Sequence, residues 1–224
     1  MTRRRSNARF YLDPYFACLI LAGAGLGTWR LPTCMRMAIL WTILLLLWLV
    51  YRENQAIRMR FKFVDLGRGA AIALAVGLPL LILAYRPLMT AIPILFVGTA
   101  APPDAALSSD VAVAGEADIL AASMFVSLVL LAPLAEELFF RDVLQREQGM
   151  LVGAALYAAA GLLFFAPAVG RFWLVLLAVG GVVAFLGVIY SFVYERYGLA
   201  VSIACHIVTN FVLMFIPIVL FILL

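Results

Sequence analysis

The chain has 224 residues, of which 67% are hydrophobic and 12% are charged, and its mean hydropathy is +1.12. This balance excludes a soluble domain, and the apolar runs do not alternate as they would in a transmembrane barrel, so it predicts a polytopic helical membrane protein. The net charge of +4 comes from cations scattered between apolar runs, so we expect no nucleic-acid partner. The expected fold class is an all-α bundle of seven or eight membrane helices in a lipid bilayer.

The N-terminal part of the chain, up to residue 118, predicts membrane helices interrupted by polar segments. Residues 1–13 are basic, and a charged start before an apolar run also fits a secretory signal, although a first membrane helix is the favoured interpretation. Residues 52–68 carry five cations and two acids, which is typical of an amphipathic loop on an anionic membrane surface. The apolar runs predict helices over residues 14–29, 37–51 and 69–85.

The segment over residues 87–100 decides how many helices span the membrane. It is apolar but short, so it is either a re-entrant segment or a tilted eighth helix, and an acidic loop at 101–118 follows it. With seven spans and a cytoplasmic N-terminus, most of the 16 Lys and Arg residues lie inside. We therefore expect a multi-pass protein of a bacterial cytoplasmic membrane. An eighth span would reverse the membrane orientation of every helix that follows it.

The C-terminal part, residues 119–224, predicts four further helices. Pro133 lies inside the first of them and should kink it, because a proline removes one helical hydrogen bond. Three glycines, Gly180, Gly181 and Gly187, should allow close helix contact. The predicted helices run over 119–141 (with an extension to 147 left open), 151–165, 172–194 and 199–224.

Two adjacent carboxylates, Glu136 and Glu137, stand near the end of an apolar run. Burying a charge in hydrocarbon costs several kcal/mol by most scales, so such groups usually have a use. Glu137 and Arg141 are four residues apart and can pair on one helix face, whereas Glu136 points about 100° away. The alternative interpretation is an ordinary ion pair that marks the water boundary at the end of a helix.

A second polar pair, His206 and Asn210, lies four residues apart in the last apolar run, and His206 is the only histidine in the chain. A lone histidine is often a hydrogen-bonded structural group, and asparagines often join membrane helices. Polar groups in lipid must nevertheless satisfy one another, so we expect both pairs to converge. A buried glutamate could then activate water, and imidazole and amide N–H groups could stabilise an oxyanion.

The segment Glu136-Glu137-Leu138-Phe139-Phe140-Arg141 resembles the EExxxR motif of the CAAX protease and bacteriocin-processing (CPBP, or Abi) family, and His206-Ile207-Val208-Thr209-Asn210 resembles its HxxxN motif. These are relatives of the type II CAAX prenyl endopeptidases. The resemblance implies a helical bundle with a water-filled cavity, and a glutamate mechanism without metal or cofactor. It implies that Glu136 activates water, that Glu137 and Arg141 support it, and that His206 and Asn210 polarise the scissile carbonyl of a membrane protein or lipidated peptide.

The sequence departs from the family at its FxxxH motif, since Ala168 and Val169 follow Phe164 and Phe165 by four residues. No other residue is a convincing replacement for that histidine. Tyr157, for example, lies too early in the sequence to match the motif. Two hypotheses follow: an active intramembrane endopeptidase, or a degenerate relative that serves as a membrane scaffold, partner or immunity protein. The three cysteines form no CxxC pattern, and the two in apolar runs are interpreted as packing residues.

Overall fold

The computed structural model describes residues 13–31, 33–52, 62–86, 125–165 and 169–223, and over these ranges the chain forms seven helices and no strand. The all-α prediction is therefore confirmed for that part of the chain. The predicted eighth helix, the acidic loop and residues 1–12 lie outside it, and the number of spans remains a prediction. The helices are α1 Pro14–Gly27, α2 Thr33–Arg52, α3 Phe63–Leu83, α4 over 125–148, α5 Met150–Phe165, α6 Val169–Tyr197 and α7 over 199–223.

Local sequence signals set several helix ends. The Asp13 side chain accepts a hydrogen bond from the Tyr15 N–H at 2.9 Å and caps α1, with Pro14 at the first helical position. Gly149 separates α4 from α5, and Gly198 separates α6 from α7. Their φ angles are 88° and 89°, a left-handed conformation that glycine adopts without steric cost.

The third helix begins earlier than its predicted start at residue 69. It starts at Phe63, so the described end of the predicted amphipathic loop 52–68 forms the first turns of α3. No proline interrupts residues 63–68, so helical hydrogen bonding continues through them. Arg52 ends α2, and residues 53–61 lie outside the described ranges.

Helices α4 and α7 both contain wide turns that precede a proline. In α4, a π-helical stretch at Phe125–Leu131 gives way to an α-helical turn at Ala132–Glu136, which contains Pro133, and wide turns resume at Glu137–Gln145. In α7, a π-helical stretch at Phe211–Phe215 lies just before Pro217. Because proline cannot donate the normal helical bond, the bonding register changes near it. The structure thus shows a change in helical winding around Pro133, and the kink expected there stays a prediction.

Small residues allow the closest helix contacts. Gly69, Ala73 and Gly77 are buried on one face of α3, and a Cβ atom at Gly69 would lie 2.6 Å from both the Ala204 Cβ and the Val201 carbonyl oxygen of α7. This small-residue stripe brings the two backbones together, as in other membrane helix pairs. Its effect is to hold α7, which carries His206, directly against α3.

The glycines predicted to allow close contact on α6 differ from one another. A Cβ at Gly180 would lie 2.5 Å from Leu162, and one at Gly187 would lie 2.8 Å from the Tyr157 ring. Nothing lies within 4 Å of such an atom at Gly181. The prediction is thus confirmed for Gly180 and Gly187 and wrong for Gly181, because neighbouring helix positions face different directions.

Two of the described helical segments are long and apolar enough to cross a membrane: Phe63–Leu83 and Leu177–Tyr197, each of 21 residues. Four shorter apolar helical segments accompany them: Tyr15–Gly27, Met35–Tyr51, Met150–Leu163 and Leu199–Phe215. Cys18 is partly buried and Cys205 is buried, and both are free thiols, in agreement with a packing role.

Candidate active site

A small cavity lies where helices α2, α4, α5, α6 and α7 meet. Its volume open to water-sized molecules is about 40 Å³, which is larger than the ~10–15 Å³ that one water requires. Most of its wall is apolar, and its polar side chains come from four different helices. The lining residues are Met37, Trp41, Leu128, Ala132, Glu136, Phe140, Tyr157, Gly161, Val183, His206, Asn210 and Met214.

Glu136 lies on the wall of this cavity, and its side chain keeps 12% of its surface exposed. One carboxylate oxygen accepts a hydrogen bond from the Trp41 indole N–H at 3.0 Å. The other oxygen lies 3.7 Å from the His206 Nε2 atom, which is beyond hydrogen-bond distance. The carboxylate is therefore oriented from one side, while the remaining space beside it is open to a small molecule.

Glu137, in contrast, is completely buried and fully bonded. It pairs with Arg141 at 3.7 Å, as the spacing of four residues predicts, and it accepts hydrogen bonds from the Ser202 hydroxyl and the His206 ring. The Arg141 guanidinium donates to the carbonyls of Gly153 and Gly187. This arrangement, here called the Glu137 network, joins α4 to α5, α6 and α7.

His206 connects the Glu137 network to the cavity. Its Nδ1 atom lies 2.9 Å from a Glu137 oxygen, so it donates its proton there, and its Nε2 atom faces Glu136 and Tyr157. The imidazole stacks on the Tyr190 ring with 4.2 Å between the ring centroids. The ring is thus held in one orientation, and a single nitrogen remains for chemistry at the cavity.

Asn210 lies one helical turn after His206 and lines the same cavity. Its side-chain amide donates a hydrogen bond to the Leu128 carbonyl of α4 at 2.9 Å. A primary amide has two N–H donors, so this bond leaves one of them for another acceptor. The contact also fixes α7 against the wide turn of α4, where the backbone has an altered hydrogen-bonding pattern.

The structure therefore brings the predicted catalytic residues Glu136, His206 and Asn210 to one cavity, with Glu137 and Arg141 behind them. The expectation that Ala168 or Val169 lines this cavity is not tested, because Ala168 lies outside the described residues and the side chain of Val169 is not described.

Sequence reasoning did not assign two polar residues to the cavity. Trp41 of α2 donates to Glu136, and the Tyr157 hydroxyl of α5 lies 3.4 Å from the His206 Nε2 atom. Tyr157 does not match the FxxxH spacing, yet it lines the cavity, because spacing along one helix does not show which face meets its neighbours. A usable signal was present, since buried tryptophan and tyrosine tips usually need a hydrogen-bond partner.

The donor set offers little to a metal ion. Among the described residues, no group of three or more His, Cys, Asp or Glu side chains has a suitable arrangement. The cavity presents one imidazole nitrogen and one carboxylate, while the second carboxylate, Glu137, is already bonded within its network.

Comparison with known proteins gives one positive finding. Residues 118–212 match the family model described as type II CAAX prenyl endopeptidase Rce1-like. The match covers the two motifs and helices α4, α5 and α6, together with most of α7, but not Trp41. No curated protein and no solved structure matches significantly. The Rce1-like family is membrane-embedded and suggests a CAAX-protease type of function on membrane-associated substrates. The recognition made from the two sequence motifs is thus confirmed by a match of residues 118–212 to the model of the Rce1-like type II CAAX prenyl endopeptidase family.

Proposed function

We propose that this protein is an intramembrane endopeptidase that hydrolyses a peptide bond of a membrane-associated or lipidated protein with water activated by Glu136. The observation that carries the proposal is the placement of the Glu136 carboxylate and the His206 Nε2 atom on one cavity that has room for water. The family match to residues 118–212 supports the same class of reaction.

The first step of the proposed reaction is the attack of water on the scissile carbonyl. Glu136 takes a proton from water, and the resulting hydroxide bonds to the carbonyl carbon. The negative charge moves to the carbonyl oxygen, where the second amide N–H of Asn210 stabilises it together with the Nε2–H of protonated His206, since the Nδ1 proton is bound to Glu137. Trp41 holds the carboxylate during this step through its bond at 3.0 Å.

The second step is the collapse of the tetrahedral intermediate. The carbon–nitrogen bond breaks as protonated Glu136 gives its proton to the departing amine, which restores the carboxylate. The products are a new C-terminal carboxyl group and a free amine, so one water molecule is consumed for each bond that is cleaved. No metal ion is part of this scheme.

The missing FxxxH histidine favours a second candidate, a degenerate relative that acts as a membrane scaffold, partner or immunity protein. In that case the Glu137 network would serve helix packing alone. The two candidates differ in what they require of Glu136, because the network does not include it.

A substitution at Glu136 tests the proposal. Glu136→Gln keeps the size of the side chain and an acceptor for Trp41 but removes the base. We expect the purified wild-type protein in lipid nanodiscs to cleave an internally quenched peptide with a prenylated CAAX terminus, and E136Q to lose at least ~100-fold in kcat. Asp142→Asn is the matched control, since Asp142 is a buried carboxylate of the same helix that does not line the cavity.

Loss of cleavage in E136Q with retention in D142N supports the protease. Equal cleavage by E136Q and wild type contradicts the proposal. It is also contradicted if the wild type does not cleave this peptide and E136Q keeps full function in cells, and that result would favour the scaffold.

A further inference from the structure

We propose that Tyr157 is a positioning residue that bridges Glu136 and His206. This inference rests on the proposed function and deepens it. It concerns a residue of α5 outside the EExxxR and HxxxN motifs, whose hydroxyl reaches the cavity.

The gap between the two motif residues calls for such a bridge. The distance of 3.7 Å between the Glu136 oxygen and the His206 Nε2 atom is too long for a direct hydrogen bond. The Tyr157 hydroxyl lies 3.4 Å from that nitrogen, and Tyr157 lines the same cavity as Glu136. One hydroxyl is therefore available at the cavity wall that both groups share.

The chemistry of a phenol suits this position. A tyrosine hydroxyl has one donor and also acceptor capacity, so it can donate to Glu136 while it accepts from a protonated His206, or donate to a neutral His206. The Nδ1 proton of His206 is already committed to Glu137, so any change of protonation at the imidazole falls on Nε2. Tyr157 can follow that change by rotating its O–H bond, and the carboxylate keeps its place throughout.

The surroundings hold the Tyr157 ring in place. The ring packs edge-on against Phe140 with 5.4 Å between the centroids, and the Arg141 guanidinium lies 4.8 Å from its centroid. A Cβ atom at Gly187 would lie 2.8 Å from the ring, so only glycine leaves room for it on α6. Three independent contacts thus fix the ring and direct its hydroxyl to one point of the cavity wall.

The helix face that carries Tyr157 also supports this role. Tyr157 and Gly161 are one helical turn apart, and both line the cavity, which makes this face of α5 its wall. Gly161 has no side chain, so the phenol of Tyr157 is the polar group that α5 presents to the cavity.

The test compares Tyr157→Phe with Tyr157→His on the same prenylated peptide in nanodiscs. Phe keeps the ring contacts and removes only the hydroxyl, so we expect kcat to fall ~10- to 100-fold with KM changed less than about twofold. His restores a donor and an acceptor, and we expect kcat of Y157H to be at least about fivefold higher than kcat of Y157F. Tyr194→Phe, a half-buried tyrosine of α6 that does not line the cavity, is the matched control.

A purely structural tyrosine would lose thermal stability in Y157F and would not be rescued by histidine. The inference would be overturned if Y157F had the kcat of the wild type, or if Y157F and Y157H lost kcat equally. The proposed function would still stand in either case if E136Q were inactive. Full activity of E136Q would instead overturn both together, so the two failures are distinguishable.

Discussion

Glu136 and Glu137 are neighbours in the chain, yet they occupy opposite kinds of environment. Glu137 has no exposed surface, and both of its oxygens are engaged by Arg141, Ser202 and His206. Glu136 keeps an exposed fraction and faces a cavity. Successive residues of a helix differ by about 100° in direction. Glu137 therefore points into the junction between helices, whereas Glu136 points towards the cavity. The comparison separates stability from chemistry: substitutions in the Glu137 network should destabilise the protein, and substitutions at Glu136 should only inactivate it.

The largest expected effect comes from removing the cation of the Glu137 network. Arg141→Met leaves a buried carboxylate without its counter-ion and removes the side-chain donor of two helix carbonyls, and we expect a loss of about 3–5 kcal/mol in the free energy of unfolding. Chemical denaturation in detergent measures it. A loss below about 1 kcal/mol would show that the network is not the structural centre of the bundle.

Gly69 tests how strongly α3 fixes the helix that carries His206. Gly69→Ala places a methyl group 2.6 Å from a backbone oxygen of α7, so we expect a loss of about 1–3 kcal/mol in the free energy of unfolding, since backbone cannot shift cheaply. Gly67→Ala is the matched control, because nothing lies within 4 Å of its added atom. Equal melting temperatures for the two variants would contradict this packing.

A smaller effect is expected at Ser202, which donates one of several hydrogen bonds to Glu137. Ser202→Ala should cost about 1 kcal/mol, as is usual for single side-chain hydrogen bonds in membrane proteins. Thermal melts of S202A, of R141M and of the double variant S202A/R141M form a double-mutant cycle. Strict additivity would separate Ser202 from the network, whereas coupling would place both residues in one unit.

The smallest effect on stability is expected at Glu136 itself. In Glu136→Gln the amide oxygen can still accept from Trp41, so we expect a change within about 0.5 kcal/mol in either direction, although activity is lost. Denaturation of the same E136Q samples that are used for cleavage measures both quantities together. A large destabilisation would remove the contrast between the two glutamates.

Much of this arrangement could be predicted from the sequence. Continuous apolar runs predict helices because the backbone must satisfy its own hydrogen bonds in lipid, and each of the seven described helices begins or ends close to an expected residue. The convergence of Glu136, His206 and Asn210 could also be expected, since polar groups in apolar helices need partners. The first turns of α3 could not be predicted, because residues 63–68 look like a charged surface segment when only their composition is considered.

The remaining parts of the site depend on which helix faces meet, and spacing along one helix does not show that. Trp41 lies 95 positions before Glu136, and its residue type indicates that the indole needs a hydrogen-bond partner but not which residue that is. Tyr157 was set aside because it did not fit a motif, although its position relative to Gly161 places it on the cavity wall. The Gly69 contact likewise depends on the register between α3 and α7, which only the packed structure gives.

The cavity draws its polar groups from helices far apart in the order of synthesis. Trp41 is made early, Glu136 and Tyr157 follow, and His206 and Asn210 belong to α7, which comes after the other described helices. Since a chain is synthesised from its N-terminus, Glu136 has no imidazole beside it until α7 has been made. Under the proposed mechanism, a nascent protein is therefore inert towards its neighbours in the bilayer until α7 has docked.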